Sequence, residues 1–413
     1  MQERILIIED NKALSKIIAK KMKTNLDFEI IQAYTYAQAE EIIEENDDFF
    51  ITLCDLNLPD APNGEIVDFV LSNGLPVIVL TGSIDDELRE EMQAKEIVDY
   101  VYKGNIEDVN YIFTLIKRLS KNRDIKVMAV DDSLMIRKEV KRILQSQMFK
   151  ILVAAHGEEA LSYLENNKDI ELVLTDFNMP VVDGVELTRQ IREKYDKDKM
   201  IIIAMTGNSE HLISAKFLKI GANDFINKPF SKEELVCRIN NALDAKERLE
   251  MMSDMAHKDF LTKVYNRRYF FQEIESFYKE KVPFAIAMLD IDNFKKINDT
   301  HGHDVGDSVI VALANLLRRS TKGADLVSRF GGEEFCVALR DVDKKQAIGF
   351  FAKLRKNIAD LSLNIGGKKI GFTVSIGVSF SDNESDIERL INRADSALYR
   401  AKNSGKNRVE IDI

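Results

Sequence analysis

A chain of 413 residues has room for roughly two to four domains, and 58 lysines and arginines against 69 aspartates and glutamates leave a formal net charge of −11. That balance excludes binding driven by contacts to a nucleic-acid backbone, which needs a basic face. An apolar fraction of 45% excludes wholesale disorder. Cys54, Cys237 and Cys336 stand far apart, with neither metal-ligand spacing nor a disulfide framework, as expected in a reducing cytosol. The opening Met1-Gln2-Glu3-Arg4 and the short apolar run after it do not make a signal peptide. No apolar run approaches the roughly 18 residues of a membrane helix, so the expectation is a cytoplasmic protein without membrane insertion.

In chain order, the first feature is an internal repeat. Residues 4–8 form an apolar strand that ends in Glu9-Asp10, and residues 126–130 form one that ends in Asp131-Asp132. Leu53-Cys54-Asp55-Leu56-Asn57-Leu58-Pro59 is matched by Leu174-Thr175-Asp176-Phe177-Asn178-Met179-Pro180. Leu80-Thr81-Gly82 is matched by Met205-Thr206-Gly207, and Lys103 by Lys228. From acid pair to aspartate to threonine to lysine the steps are 45, 26 and 22 residues in the first copy and 44, 30 and 22 in the second. Short apolar strands alternating with helical stretches predict a parallel sheet with helices on both faces, whose ligand crevice lies at the carboxyl ends of the strands. Three carboxylates meeting there suit a hard cation such as Mg²⁺, a lysine and a hydroxyl suit a phosphoryl group, and an aspartate can accept one covalently.

The two copies resemble receiver domains of two-component response regulators, which have a flavodoxin-like, doubly wound α/β fold. The resemblance implies phosphoacceptors at Asp55 and Asp176. It implies Mg²⁺ held by Glu9, Asp10, Asp131 and Asp132 with the carbonyls of Asn57 and Asn178, and phosphoryl contacts from Thr81, Lys103, Thr206 and Lys228. Tyr100 and Phe225, three residues before each lysine, match the family's switch aromatic. The first copy departs from the pattern: its acid pair is Glu9-Asp10, Lys103 is followed by Gly104 where the second copy has Lys228-Pro229, and its segment from Asp55 to Thr81 is four residues shorter. A receiver kept only as a packing adaptor is the alternative.

Ser231 before Lys232-Glu233-Glu234 reads as a helix N-cap with acids in the first turn, and without Gly or Pro the helix can run to about His257. Leu235, Ile239, Ala242, Leu249 and Ala256 follow a seven-residue pattern interrupted at Lys246 and Ser253, so both a two-stranded coupling helix and a plain linker remain open. Met251, Met252 and Met255 are expected in a core or an interface.

From about residue 255 the repeat ends. An apolar strand over 284–291 runs into Asp290-Ile291-Asp292-Asn293-Phe294-Lys295, and two further strands flank Gly331-Gly332-Glu333-Glu334, which predicts a hairpin whose bare glycines admit a large ligand. Asp290 and Glu333 can share a divalent metal, and backbone amides around Phe294 and Lys295 can cradle phosphates. The run His301-Gly302-His303-Asp304 reads as a turn rather than a metal cluster, and Asp292 is left outside the ligand set.

Together with Asp259-Phe260-Leu261-Thr262, Gly302-His303-Asp304-Val305-Gly306-Asp307, Ser375-Ile376-Gly377-Val378 and Ala394–Lys402, these motifs resemble a GGDEF-type diguanylate cyclase domain in its GGEEF form. That implies an α+β, nucleotidyl-cyclase-like domain whose sheet contains antiparallel strands. It implies an enzyme that condenses two GTP into cyclic di-GMP and two pyrophosphates. Asp290, Glu333, the carbonyl of Ile291 and Glu334 would ligate Mg²⁺ or Mn²⁺. Glu333 would be the base and Lys295 would stabilise developing charge. Asn298, Asp307 and His303 would line the guanine pocket, and Phe294, Lys402 and Lys406 would meet the phosphates. The family's R-x-x-D product-inhibition motif reads Lys322-Gly323-Ala324-Asp325 here, which keeps charge but loses the guanidinium fork.

The expected organisation is receiver 1 over 1–123, receiver 2 over 124–245, a coupling segment over 246–258 and the cyclase domain over 259–413. Expected partners are GTP, a cognate histidine kinase or phosphotransfer protein, and a second copy of the chain, with no nucleic acid. The alternative is a non-catalytic nucleotide-binding relay.

Overall fold

The computed structural model describes the chain except residues 1, 47, 83–91, 93–94, 104–105, 208–210, 281, 382–385 and 413, and the side chains of 25, 106–109, 211–214 and 278. Most of the stretch between Thr81 and Lys103, and Gly104, lie outside the described residues. The chain divides into two compact units, Met1–Arg248 and Leu249–Ile413.

The first unit holds two parallel sheets of the same design. In chain order the first half runs β1 (Arg4–Ile8), α1 (Lys12–Asn25), β2 (Glu29–Ala33), α2 (Tyr36–Glu45), β3 (Phe49–Asp55), α3 (Glu65–Ser72), β4 (Val77–Thr81), β5 (Asp99–Tyr102) and α4 (Ile106–Asn122). The strands lie in the order β2-β1-β3-β4-β5, all parallel. All seven residues of β3 are buried, because helices cover both faces of the sheet, and that is why the strand reads as a continuous apolar run. Polar caps start the helices: the Asn11 side chain accepts from the Ala13 and Leu14 amides, and Thr35 from Gln38.

The second half repeats this with β6 (Lys126–Val130), α5 (Leu134–Ser146), β7 (Lys150–Ala154), α6 (Gly157–Asn166), β8 (Ile170–Asp176), α7 (Gly184–Lys194), β9 (Ile201–Gly207), α8 (His211–Ile220), β10 (Asp224–Lys228) and α9 (Lys232–His257), in the order β7-β6-β8-β9-β10. The two halves meet where α4 faces α9. There Arg118 pairs with Asp244 and, at 2.7 Å, with Glu247, and Lys121 reaches Glu247 at 2.6 Å. The expected helix from Ser231 is present, with Ser231 Oγ accepting from the Glu234 amide at 3.1 Å. Leu235, Ile239 and Leu243 are buried against receiver 2. Farther along, Met251, Met252 and Met255 are 56%, 66% and 81% exposed. Of the two expectations for them, a core or an interface, the core within this chain is corrected by that exposure, and the interface stays open.

The second unit runs β11 (Tyr265–Asn266), α10 (Arg267–Lys279), β12 (Phe284–Ile291), α11 (Phe294–His301), α12 (His303–Ser320), β13 (Leu326–Gly331), β14 (Glu334–Arg340), α13 (Lys344–Ala359), β15 (Ser362–Ile365), β16 (Lys368–Gly371), β17 (Val374–Phe380), α14 (Ile387–Asn403) and β18 (Val409–Ile411). Its main sheet has the order β11-β13-β14-β12-β17-β18. β12 is central and antiparallel to both neighbours, whereas β11 and β18 pair in parallel at the edges. Residues alternate along β12: Ala285, Ala287, Leu289 and Ile291 face one core, and Phe284, Ile286 and Met288 face the other. α14 lies against β17 at Gly377, where a Cβ would fall 2.1 Å from both the Ala394 carbonyl oxygen and the Leu398 amide nitrogen. Gly377 is therefore the contact point that lets the last helix sit on the sheet. Gly377→Val is expected to destabilise the second unit by about 3 kcal/mol or more through backbone overpacking, read as an earlier denaturant midpoint.

Candidate functional site

Each half of the first unit gathers its marked residues at the carboxyl edge of its sheet. Carboxylate oxygens of Glu9, Asp10 and Asp55 lie within 4.8 Å of one another, and so do those of Asp131, Asp132 and Asp176. Glu9, Asp55, Asp131 and Asp176 are buried, while Asp10 and Asp132 reach solvent. A lysine from the end of the edge strand, β5 or β10, closes each group. Lys103 Nζ is 2.6 Å from Asp55 and 3.3 Å from Glu9, and Lys228 Nζ is 2.5 Å from Asp176 and 2.6 Å from Asp131. Thr81 and Thr206 are buried at the same edge. The exposed Asn57 follows Asp55 in a turn in which its amide donates to the Asp55 carboxylate at 3.1 Å, and Asn178 is exposed at the matching place in receiver 2.

Crowded buried carboxylates resist ionisation. Burial, then the Asp55 charge, raises Glu9 to about 7, with Lys103 opposing the shift. Burial also raises Asp176, against the pull of Lys228. At Lys228 burial acts in the other direction, but the two aspartates outweigh it and hold the ammonium above its ordinary value. One ammonium among three carboxylates leaves each cluster short of positive charge, so the donor set fits a divalent cation bound through oxygen.

In the second unit the hairpin predicted around the glycine pair is β13–β14, with Gly332 in the left-handed region at φ 46°. The antiparallel register places Asp290 on β12 opposite Glu334 on β14, and Glu333, half-buried in the turn, precedes it. Asp290 is 7% exposed and pairs with Lys402 of α14 at 2.7 Å. Burial raises its pKa, Lys402 works against the rise, and Glu333 and Glu334 add to it. Lys402, expected at phosphates, thus sits on the carboxylate expected to bind metal. Among the described residues Asp290, Glu333 and Glu334 do not converge as tightly as either receiver cluster; their donor set still fits an oxygen-bound cation.

Beside this strand end, Asn293 begins α11 with φ 56° and without a side-chain cap. Nothing from Asn293 itself therefore competes for the first-turn amides of Phe294 and Lys295, which remain suited to an anion. The Phe294 ring packs toward the core, while Lys295 is exposed. Asn298 Oδ1 is buried and has no hydrogen-bond partner among the described residues. It rests so close to Gly306 that a Cβ there would approach it to 1.9 Å, so Gly306 is required by the contact between α11 and α12. Asp307 and His303 are exposed on α12. The stretch read as a turn is the junction of the two helices at Gly302, φ 90°.

Sequence reasoning missed Arg329. Its guanidinium donates to the Gly332 carbonyl oxygen through Nε at 2.9 Å and Nη2 at 2.7 Å, and to Asp259 through Nη1 at 3.0 Å. It therefore fastens the signature turn to the motif that opens the domain. Its place two residues before the glycine pair was the available signal. Asp325 accepts from the Lys322 amide at 2.7 Å and the Arg340 amide at 3.0 Å, so its carboxylate ties the backbone of its own turn to the end of β14.

Comparison with known proteins accords with this geometry. The family described as response regulator receiver domain matches residues 5–111 and 127–240, and the family described as diguanylate cyclase, GGDEF domain, matches 256–408. Response regulator PleD of Caulobacter vibrioides is 29% identical over 298 residues, covering 69% of this chain and 65% of that protein. Diguanylate cyclase A of Treponema denticola is 37% identical over 166 residues, 38% of this chain and 45% of that protein. This chain thus spans less than two thirds of the length of either. A solved structure described as a two-component system response regulator/GGDEF domain protein aligns with TM-score 0.55 and 38% identity over 60% of this chain and all of its own.

Glu9 must lose its proton to ligate a metal, and with its pKa raised to about 7 it keeps that proton in mildly acidic solution. In the Asp176→Asn variant, which leaves receiver 1 intact, Mg²⁺ affinity is expected to fall about tenfold from pH 8 to pH 6. Calorimetric titration across that range checks it; a flat profile contradicts the protonated Glu9.

Proposed function

We propose that this chain, which belongs to the response-regulator receiver family and carries a GGDEF domain after two receivers, is a phosphorylation-regulated diguanylate cyclase. The observation that carries the reading is the carboxylate edge of the second unit: Asp290 faces Glu334 across β12 and β14, with Glu333 beside it and the open first turn of α11 next to it in sequence.

In this reading GTP lies with its phosphates at the first turn of α11. Asp290, the Ile291 carbonyl, Glu333 and Glu334 would hold Mg²⁺ or Mn²⁺, which when bound offsets triphosphate charge and acidifies the attacking hydroxyl. Glu333 takes the proton of the ribose 3′-hydroxyl, whose oxygen attacks the α-phosphorus of the second GTP as pyrophosphate leaves. Lys295, Lys402 and Lys406 meet the charge that develops. Asn298 brings an unpartnered buried acceptor to the guanine N1–H and N2–H groups, where adenine has a bare N1 acceptor and no 2-amino group, and Asp307 and His303 complete that pocket. Each site takes one GTP, so two domains must face each other, and the exposed methionine face of α9 offers apolar surface for a second copy.

Asp55 and Asp176 would accept phosphoryl groups from a histidine kinase or phosphotransfer protein. Lys103, Lys228, Thr81 and Thr206 would contact those groups, and Mg²⁺ would be held by the acid pairs with the carbonyls of Asn57 and Asn178. Phosphorylation would shift the population toward the active dimer. The switch residue Tyr100 supports a route for this, since its hydroxyl donates to Glu233 of α9 at 3.4 Å.

With GTP and Mg²⁺, Glu333→Gln is expected to lower cyclic di-GMP formation by roughly 10²-fold or more without changing the unfolding temperature, measured by chromatography of the product. Acetyl phosphate is expected to raise the wild-type rate, and Asp55→Asn with Asp176→Asn to remove that response. Because Lys322 replaces the guanidinium and Asp325 is engaged by backbone amides, added cyclic di-GMP is expected to leave initial rates unchanged.

A further inference from the structure

Asp292 takes no part in the chemistry above, yet it is 5% exposed in the wall of the nucleotide site. Its carboxylate accepts from Thr373 Oγ1 at 2.6 Å, Ser375 Oγ at 2.6 Å and the Asn407 amide at 2.9 Å. Among the described residues no ammonium or guanidinium pairs with it, so three neutral donors stabilise the buried charge. Thr373, Ser375 and Gly377 alternate along one face: two hydroxyls hold Asp292, and the glycine admits α14.

The third donor lies in the turn between α14 and β18. There Lys406 and Asn407 both adopt left-handed backbone, at φ 62° and 47°, which non-glycine residues avoid. Asp292 holds the Asn407 amide from one side. From the other, Arg355 Nη1 donates to the Asn407 carbonyl oxygen at 3.2 Å and to its Oδ1 at 2.8 Å. The strained turn in turn directs Lys406 Nζ onto Asn293 Oδ1 at 2.5 Å, at the mouth of α11.

We propose that Asp292 is a positioning residue that, with Arg355, holds the turn at 406–407 so that Lys406 stands over the first turn of α11, and that it thereby sets affinity for the triphosphate rather than the rate of phosphoryl transfer. This rests on the reading of that turn as the GTP site.

The test uses the full-length chain and two readouts: steady-state formation of cyclic di-GMP, and Mg²⁺-dependent binding of a fluorescent GTP analogue. Asp292→Ala is expected to raise KM and the analogue's Kd about tenfold while kcat changes less than about threefold. Asp292→Asn keeps an oxygen for Thr373 and Asn407 and places an amide at Ser375, so it is expected to bind nearly as wild type. Arg355→Ala, which does not alter the buried carboxylate, is expected to raise KM and Kd in the same direction and keeps the test open if Asp292→Ala does not fold. Unchanged KM and Kd in both Asp292→Ala and Arg355→Ala overturn the proposal. So does an Asp292→Asn variant that loses kcat as severely as Glu333→Gln, because its charge would then serve the metal. Wild-type protein that binds no GTP analogue would overturn the site reading and this proposal together. Wild-type protein that binds but does not turn over would remove only the enzyme reading, and the Kd comparison would still decide this one.

Discussion

A buried carboxylate at the end of a strand, held by one lysine from another element, recurs in every domain of this chain. Lys103 meets Asp55 at 2.6 Å, Lys228 meets Asp176 at 2.5 Å and Lys402 meets Asp290 at 2.7 Å. Taking a carboxylate out of water costs several kcal/mol unless something compensates. The raised pKa values of Asp176 and Asp290 show that one ammonium compensates only in part. The rest of the architecture follows from that constraint. Strands must end together at one sheet edge to bring the acids into reach, and glycines must clear the close approaches, as Gly184 does where a Cβ would fall 2.0 Å from the Asp176 carbonyl oxygen.

The two sheet designs solve the same problem differently. In the receivers, parallel strands deliver all their carboxyl ends to one edge, and three acids converge within 4.8 Å. In the second unit the strands beside β12 are antiparallel, so the carboxyl end of β12 lies beside the start of β14, next to the turn that joins β13 to β14. Its acids are spread along an open rim beside a helix N-terminus. The first arrangement suits a compact phosphoryl group, the second a long polyanion.

Much of this was legible in the chain. Strand-end acids, threonines and lysines recur at nearly equal steps because the parallel fold delivers each strand end to the same edge, and the glycine pair of the hairpin stands directly between its strands. What was not legible depends on partners distant in sequence. Asp292 and Asn407 are 115 residues apart, and Arg329 and Asp259 are 70 apart. No period or spacing links them. The pairing of Lys402 with Asp290 was hidden for the same reason. For Met251, Met252 and Met255 the sequence could not separate core from interface, because both demand an apolar side chain; their exposure removes the core alternative only.

The lysine on Asp290 has a consequence for which ligands the rim can accept. In the proposed reading, an incoming species that separates the pair leaves the buried carboxylate in need of positive charge and offers the freed ammonium to negative charge. A bare anion satisfies only the second demand, and a free dication only the first. A complex of metal with polyphosphate meets both at once. In that reading the pair would thus work as a conjunction, each partner guarding the other against half-matched company before any base is read.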